Sequence, residues 1–520
     1  MRISTDLRNF IIFYEENVNE VLLLKLSEYI QLDGTDIAYF IAKKEMTKEE
    51  IIELSFQQLE KVNNDLNAVT ATRKERVFEE IKTARGLFNG VPLFLKDLSQ
   101  AIEGDRSTGG AKLLANSVAD STSNFAKKIQ QTGCSILGYS TTPEFGLKNI
   151  TESKLHGPTR NPWNSEYSPG GSSGGAAALV ASGVVPIAGA SDGGGSIRIP
   201  ASFCSLVGLK PTRGRTPVGP GHGRQWHGAA IHFVLTKSVR DCAAMLSKLQ
   251  VVQQEAAFQT PLFPGRYEEE MKRDFSKRLK IGFNCRSPVG TPVSEEAKRA
   301  VEKVVNWLED QGHFVEEVDP GIDGIQLMRD YYLMNSGEMA ALILQLEREL
   351  GRKITANDVE IETWLLHQAG QHVSAAEFTI SIASWDHAAE KMARLHENYD
   401  FYITPATAYP APKVGELTHR KEKEVELREE IEKLNPKDQQ QLIYDMFLPS
   451  LTYTPFTQLA NLTGQPAISL PVHLTEEGLP LGVQVIAPKG HEHRLLQLAY
   501  QLEQSELWVG MKGNPYFAEE

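Results

Sequence analysis

Apolar residues along this chain recur at two different periods, and the alternation between them predicts its architecture. From Thr47 onward, Ile52, Phe56 and Leu59 share one face of a 3.6-residue repeat, and Thr47 with Glu50 forms a capping box that predicts where this helix starts. Ala297, Val301, Val304, Val305 and Leu308 predict a second amphipathic helix. It is flanked by short strand-like runs at Lys280–Phe283 and, after Gly312, at Phe314–Val318, which together read as a βαβ unit. Val91–Leu95 and Val185–Ala190 add apolar runs of strand length, so the pattern predicts an α/β protein. The densely charged stretch from Glu416 to Lys433 carries Leu427, Ile431 and Leu434 at helical spacing; it reads as a solvated surface helix, with a lid over a site as the other reading.

The amino-terminal residues 1–34 read as a helical extension. Phe10–Tyr14 is apolar but is interrupted by Glu15 and Glu16, and Val21–Leu26 is broken up by Lys25 and Glu28. Neither run reaches a signal-peptide core or the ~20 residues of a membrane span, so secretion and membrane insertion are disfavoured and a cytoplasmic location is expected. An accessory helix and an inter-subunit contact, hence a homodimer, are both open readings of this extension. Length alone suggests roughly three domains for 520 residues. No Pro- or Gly/Ser-rich linker divides the chain, however, so residues 35–515 are expected to form one large domain.

Charge narrows the function. With 54 Lys and Arg against 67 Asp and Glu, the net charge is −13, which leaves no basic surplus to neutralise phosphates, so direct nucleic-acid binding is not expected. Cys134, Cys204, Cys242 and Cys285 are too few and too scattered for a disulfide framework or a zinc site; they read as reduced thiols.

The chemistry is concentrated between Gly170 and Arg198. Gly170-Gly171-Ser172-Ser173-Gly174-Gly175 leads into the helix-forming Ala176-Ala177-Ala178-Leu179 and then a strand. A second glycine cluster follows, Asp192-Gly193-Gly194-Gly195-Ser196-Ile197-Arg198, before the helix-starting Ile199-Pro200-Ala201. A flexible linker explains one such cluster but not two joined by ordered elements. Three glycines directly before Ser196 allow successive N–H groups to converge on one atom, which is what an oxyanion hole requires.

This segment, continuing through Cys204 and Val207 to Thr212, resembles the amidase signature of the bacterial amidases, fatty acid amide hydrolase and the tRNA-dependent amidotransferase A subunit. The likeness extends to Gly90–Asp97, Gly157–Pro162, Asn461–Pro471 and Gly478–Gln484, covering roughly residues 35 to 510. It implies an open, twisted, mixed β-sheet of many strands with helices on both faces. By position, Ser196 corresponds to the nucleophile, Lys96 to the base, and Ser172, 24 positions before Ser196, to the proton-relaying serine that the family holds on a cis peptide. Ser173 is the other relay reading; spacing within the family favours Ser172. The amides of Gly193, Gly194, Gly195 and Ser196 are expected to bind the oxyanion. The sequence departs from the family pattern in having Gly193 where Thr or Ile is common and Ser191 where Thr is common.

These roles are chemically coherent, because a serine hydroxyl needs a base and a lysine serves only when neutral. Its pKa must fall from about 10.4 by roughly two to three units, which burial supplies. His222 and His227, in the Gly-rich loop from Gly219 to Gly228, lack metal-ligand spacing, so neither a metal nor a cofactor is expected; the loop reads as pocket lining. Lys210–Pro220, Trp226 and Thr236–Asp241 are most similar to amidases of the 6-aminohexanoate-cyclic-dimer hydrolase type. The expected activity is hydrolysis of a linear or cyclic carboxylic amide through an acyl-enzyme. The alternatives are an amidotransferase A subunit, which the Arg213–Pro220 segment disfavours, and an inactive binding or scaffold relative, which retention of Lys96, Ser172 and Ser196 disfavours.

Overall fold

The structure, a computed structural model, describes residues 24–518. The first 23 residues of the predicted amino-terminal extension lie outside the described residues. An 11-stranded mixed sheet forms the centre. Its strands are β1 (Val69–Thr72), β2 (Pro92–Lys96), β3 (Ser135–Ser140), β6 (Ile187–Asp192), β7 (Val207–Lys210), β8 (Ile231–Thr236), β9 (Lys280–Phe283), β10 (Phe314–Glu317), β11 (Phe401–Pro405), β12 (Ala467–Leu474) and β13 (Pro480–Ile486). A separate two-stranded hairpin consists of β4 (Glu152–Ser153) and β5 (Gly157–Pro158). The strand order of the large sheet is β1-β3-β2-β6-β8-β7-β12-β13-β11-β9-β10. Its middle strands are buried along their whole length because both sequence neighbours of each position are apolar or hydrogen-bonded, as a sheet covered on both faces requires.

The helices include α1 (Gly34–Lys43), α2 (Lys48–Leu66), α3 (Gly174–Ala181), α4 (Arg198–Cys204), α5 (Glu295–Asp310), α6 (Gly324–Leu350), α7 (Ile361–Gly370), α8 (Ala375–Asn398), α9 (Lys421–Ile431), α10 (Pro436–Tyr453) and α11 (Gln458–Thr463). The capping box at Thr47 starts α2 as its sequence predicts: Glu50 N–H donates to Thr47 Oγ1 (3.1 Å) and Thr47 N–H to Glu50 Oε2 (2.7 Å). Ile52, Phe56 and Leu59 are its buried face. The βαβ unit is also present, with β9 and β10 parallel, Lys280 opposite Phe314, and α5 between them. Phe314 is exposed, because β10 is the last strand of the sheet and its outer side meets solvent.

The two largest buried clusters are a core around the sheet and a second core among helices, where Met339 of α6, Leu365 and Leu366 of α7, Ile443 and Phe447 of α10 pack together. The charged stretch from 416 to 433 becomes α9 over Lys421–Ile431, and its buried Leu427 and Ile431 join this second core. Residues just before α1 are tied to the body: Tyr29 Oη donates to Val184 O (2.8 Å), and Lys237 Nζ to the carbonyls of Ile30 and Leu32 (2.6 Å each). The four cysteines are free, and no helix among the described residues is long and apolar enough to cross a membrane.

Candidate active site

β2 and β6 are parallel neighbours, so their carboxyl ends emerge on one edge of the sheet. Lys96 is the last residue of β2 and is fully buried; Ser191 and Asp192 end β6. Lys96 Nζ donates to Ser172 Oγ (2.7 Å) and to Ser191 Oγ (3.0 Å). Burial disfavours the ammonium strongly enough to bring Lys96 down to about 7, even though the Asp192 carboxylate nearby favours its charge. At neutral pH an amine of this pKa is substantially unprotonated and therefore available as a base.

Ser172 sits at the start of the turn into α3, and the Gly171–Ser172 peptide is cis. Gly171 allows this turn to lie against the neighbouring chain: a methyl group there would sit 2.6 Å from the Ile150 backbone N and O. Ser173 does not reach Lys96. Its Oγ donates to Ser191 O (3.2 Å) and accepts from Ser191 N–H (3.3 Å), which fastens the turn to β6, so it is Ser172 that the fold places on the lysine.

The glycine loop after β6 brings Ser196 to the same place: Ser173 N–H donates to Ser196 O (3.3 Å), and Ser172 and Ser196 line one cavity of about 660 Å³. Among the described residues Ser196 Oγ has no hydrogen-bond partner, and none joins it to Ser172 Oγ. Asp192 organises the loop. Its carboxylate accepts from Gly195 N–H (2.7 Å), Ile197 N–H (3.2 Å), Arg198 Nε and Nη2 (3.0 and 2.9 Å) and Asn461 Nδ2 (2.8 Å). Burial alone would raise this carboxyl, but the Arg198 charge and these donors outweigh it and hold Asp192 at about 2.

The expected oxyanion hole needs one correction. The Gly195 amide is committed to Asp192 Oδ1, so it cannot face an oxyanion. The amides of Gly193, Gly194 and Ser196, by contrast, have no acceptor among the described residues, and these three residues line the cavity. The reason is local: Gly195 adopts φ +130°, a region closed to side chains, which turns its N–H inward, and a methyl group there would meet Thr457 Oγ1 at 2.2 Å.

The rest of the lining mixes apolar and polar side chains. Phe145, Leu147, Tyr332, Leu342, Phe447 and Leu451 form its apolar part. The Gly219–Gly228 loop contributes His222, Arg224, Gln225 and Trp226 to the lining, in keeping with its sequence reading. His227 instead pairs with Glu338 (2.8 Å). Sequence reasoning missed four groups. Ser191 is recognisable only as a departure from the family pattern, yet it holds Lys96. Asp192 and Arg198 flank the quoted glycine run, and their charges could have been read as a buried pair. His232 lines the cavity beside Lys96; burial, then the lysine charge, brings it down to about 3, so it stays neutral and acts as a polar wall.

Comparison with known proteins places these features in context. Residues 50–496 match the family described as Amidase. The chain is 38% identical over 480 residues to a lipoamidase of Enterococcus faecalis, an alignment covering 92% of this chain and 64% of that protein, so the chain spans about two thirds of that relative's length. It is 33% identical over 487 residues to the 6-aminohexanoate-cyclic-dimer hydrolase of Paenarthrobacter ureafaciens, covering 92% of this chain and 96% of the relative. A solved structure of 6-aminohexanoate cyclic dimer hydrolase superposes with a TM-score of 0.86 at 32% identity, over 95% of this chain and 100% of that one.

Proposed function

The chain belongs to the amidase family, hydrolases acting on carbon–nitrogen bonds, and from that premise we propose that it hydrolyses a linear or cyclic carboxylic amide through an acyl-enzyme on Ser196. In this reading Ser172 is the relay, Lys96 the base, and residues 35–515 are the catalytic domain. The observation that carries the reading is the contact of a fully buried Lys96, brought down to about 7, with Ser172 Oγ at 2.7 Å, beside a serine that follows two unpaired amides.

With the amine neutral, the same contact runs in the opposite sense, Ser172 O–H donating to the Lys96 lone pair. Rotation of Ser196 about χ1 brings its hydroxyl to Ser172 Oγ as substrate binds, a tightening typical of serine relays. Ser196 Oγ then attacks the carbonyl carbon while its proton passes to Ser172 and the Ser172 proton to Lys96. The developing oxyanion is held by the amides of Gly193, Gly194 and Ser196. Collapse of the tetrahedral intermediate breaks the C–N bond, and the proton returns through Ser172 to the leaving amine. Water then repeats the sequence on the ester and releases the acid. The apolar wall of Phe145, Leu147, Leu342, Phe447 and Leu451 favours an extended, largely apolar acyl chain. Two relatives carry the names lipoamidase and 6-aminohexanoate-cyclic-dimer hydrolase, which supports an amide as the substrate class.

A fluorophosphonate probe tests the assignment. Mass spectrometry is expected to find the label on Ser196; label on Ser172 or Ser173 with Ser196 free overturns it. The purified chain is further expected to hydrolyse lipoamide or the 6-aminohexanoate cyclic dimer in the presence of a chelator. Turnover only with amidotransferase partner subunits and misacylated tRNA would replace this reading with the A-subunit one.

A further inference from the structure

In a planar trans peptide the C=O of one residue and the N–H of the next point in opposite directions, so whatever holds the carbonyl aims the amide. Glycine-rich backbone needs such holding, because without a Cβ its peptide planes can turn at little cost. Each carbonyl from Asp192 to Gly195 has a holder. Asn461 Nδ2 donates to Asp192 O (3.0 Å), which aims the Gly193 amide. Tyr331 Oη donates to Gly193 O (3.1 Å), which aims the Gly194 amide. Thr457 Oγ1 donates to Gly194 O (2.7 Å), which aims the Gly195 amide at Asp192, and Ile199 N–H donates to Gly195 O (2.7 Å), which aims the Ser196 amide.

Tyr331 differs from the other three holders. It comes from α6, in the helical wall, and its ring edge also lies against the loop, since a methyl group on Gly194 would approach Tyr331 Oη to 3.0 Å. Four residues on, Asn335 accepts from Trp226 Nε1 (2.6 Å), and seven residues on, Glu338 pairs with His227 (2.8 Å). One face of α6 therefore braces both the glycine loop and the Gly219–Gly228 loop. We infer that Tyr331 is a positioning residue of the reaction: its hydroxyl fixes the Gly193–Gly194 peptide so that the Gly194 amide meets the oxyanion. The inference rests on the reading of Ser196 as nucleophile.

Tyr331→Phe tests it, since it removes the hydroxyl and keeps the ring. Loosening a donor costs less than the ~10²–10³-fold caused by deleting one, so kcat on a short neutral amide is expected to fall about 10- to 100-fold with KM within threefold. The inhibition constant of a trifluoromethyl ketone, whose adduct with the serine carries the oxyanion, rises by the same factor. The pH midpoint of the activity stays where it is in the parent enzyme, because Lys96 is untouched. Unchanged kcat, a rise in KM alone, a displaced pH midpoint, or a Tyr331→Phe chain that no longer folds each overturn the inference. Should the variant be poorly stable, the ratio of ketone inhibition constants measured below its melting temperature still decides, a ratio of one counting against the role. Ser196→Ala run alongside separates the two failures. If it stays active, the nucleophile reading falls; if it is dead while Tyr331→Phe is unaffected, only the positioning role falls.

Discussion

The cavity has two sides built in different ways. On the sheet side, Lys96, Ser172, Ser191 and the loop from Asp192 to Ser196 are held by buried polar groups that bond one another, with Asp192 and Arg198 both inaccessible to solvent. On the helical side, α6 and α10 present Tyr332, Met339, Leu342, Phe447 and Leu451, whose packing is non-directional, while Tyr331 of α6 is the exception that bonds the glycine loop. Directional contacts fix atoms to tenths of an ångström, as proton transfer requires, whereas an apolar wall tolerates changes of shape. Under the proposed function the difference means that the chemistry is fixed on strand ends while the helices opposite set which acyl group enters, and each side is open to a separate test.

The largest effect is expected on the sheet side. Lys96→Ala and Lys96→Arg should each lose about 10³- to 10⁴-fold in turnover, the arginine failing because a guanidinium does not deprotonate in this range. In the parent enzyme kcat/KM should rise with pH through about 7, as the lysine becomes neutral. Stability runs in the same sense. The folded chain releases the Lys96 proton at about 7 and the unfolded chain near 10.5, so the burial penalty is complete below pH 7 and fades as pH rises toward 10.5. Lys96→Met should therefore be inactive yet melt higher than the parent at pH 6, a gain that differential calorimetry should find reduced at pH 10. Near-normal turnover in Lys96→Arg would mean that another group is the base.

Next in size is Asp192→Asn. It leaves Arg198 charged and buried without its carboxylate, a change worth roughly 3–5 kcal/mol of stability. Chemical denaturation should read it directly. Because the folded Asp192 titrates at about 2 and its unfolded value is 3.8, its contribution is present above pH 4 and is lost as pH falls toward 2. A neutral result would make the sheet side as tolerant as the helical one and would dissolve the contrast.

On the helical side, Leu342→Ala should raise KM for a long-chain amide about 5- to 30-fold, roughly 1–2 kcal/mol of lost apolar contact, with kcat changed less than threefold. A fall in kcat with KM unaltered would place Leu342 with the chemistry instead. The smallest effect belongs far from both sides: Thr47→Ala removes the cap of α2 and should cost about 1 kcal/mol by denaturant titration with no change in turnover.

The amino-acid sequence by itself determined the local features. The capping box at Thr47, the βαβ unit from Lys280, the helices following both glycine clusters and the amidase resemblance all follow from residues within a few positions of one another, as do the identities of Lys96, Ser172 and Ser196 as candidates. Propensity, capping and glycine conformation are short-range, so sequence carries them. Tertiary structure decided what depends on distant neighbours. Ser172 rather than Ser173 meets Lys96 because of a backbone turn pressed against Ile150. The Gly195 amide belongs to Asp192, and the stretch around Lys421–Ile431 is packed into a core by Leu427 and Ile431. Above all, Lys96 comes down to about 7 only because strands and loops from across the chain exclude water from it, and the Gly193 carbonyl is held by Tyr331, 138 positions away. Desolvation and long-range hydrogen bonds are sums over the folded surroundings, and no local pattern encodes them.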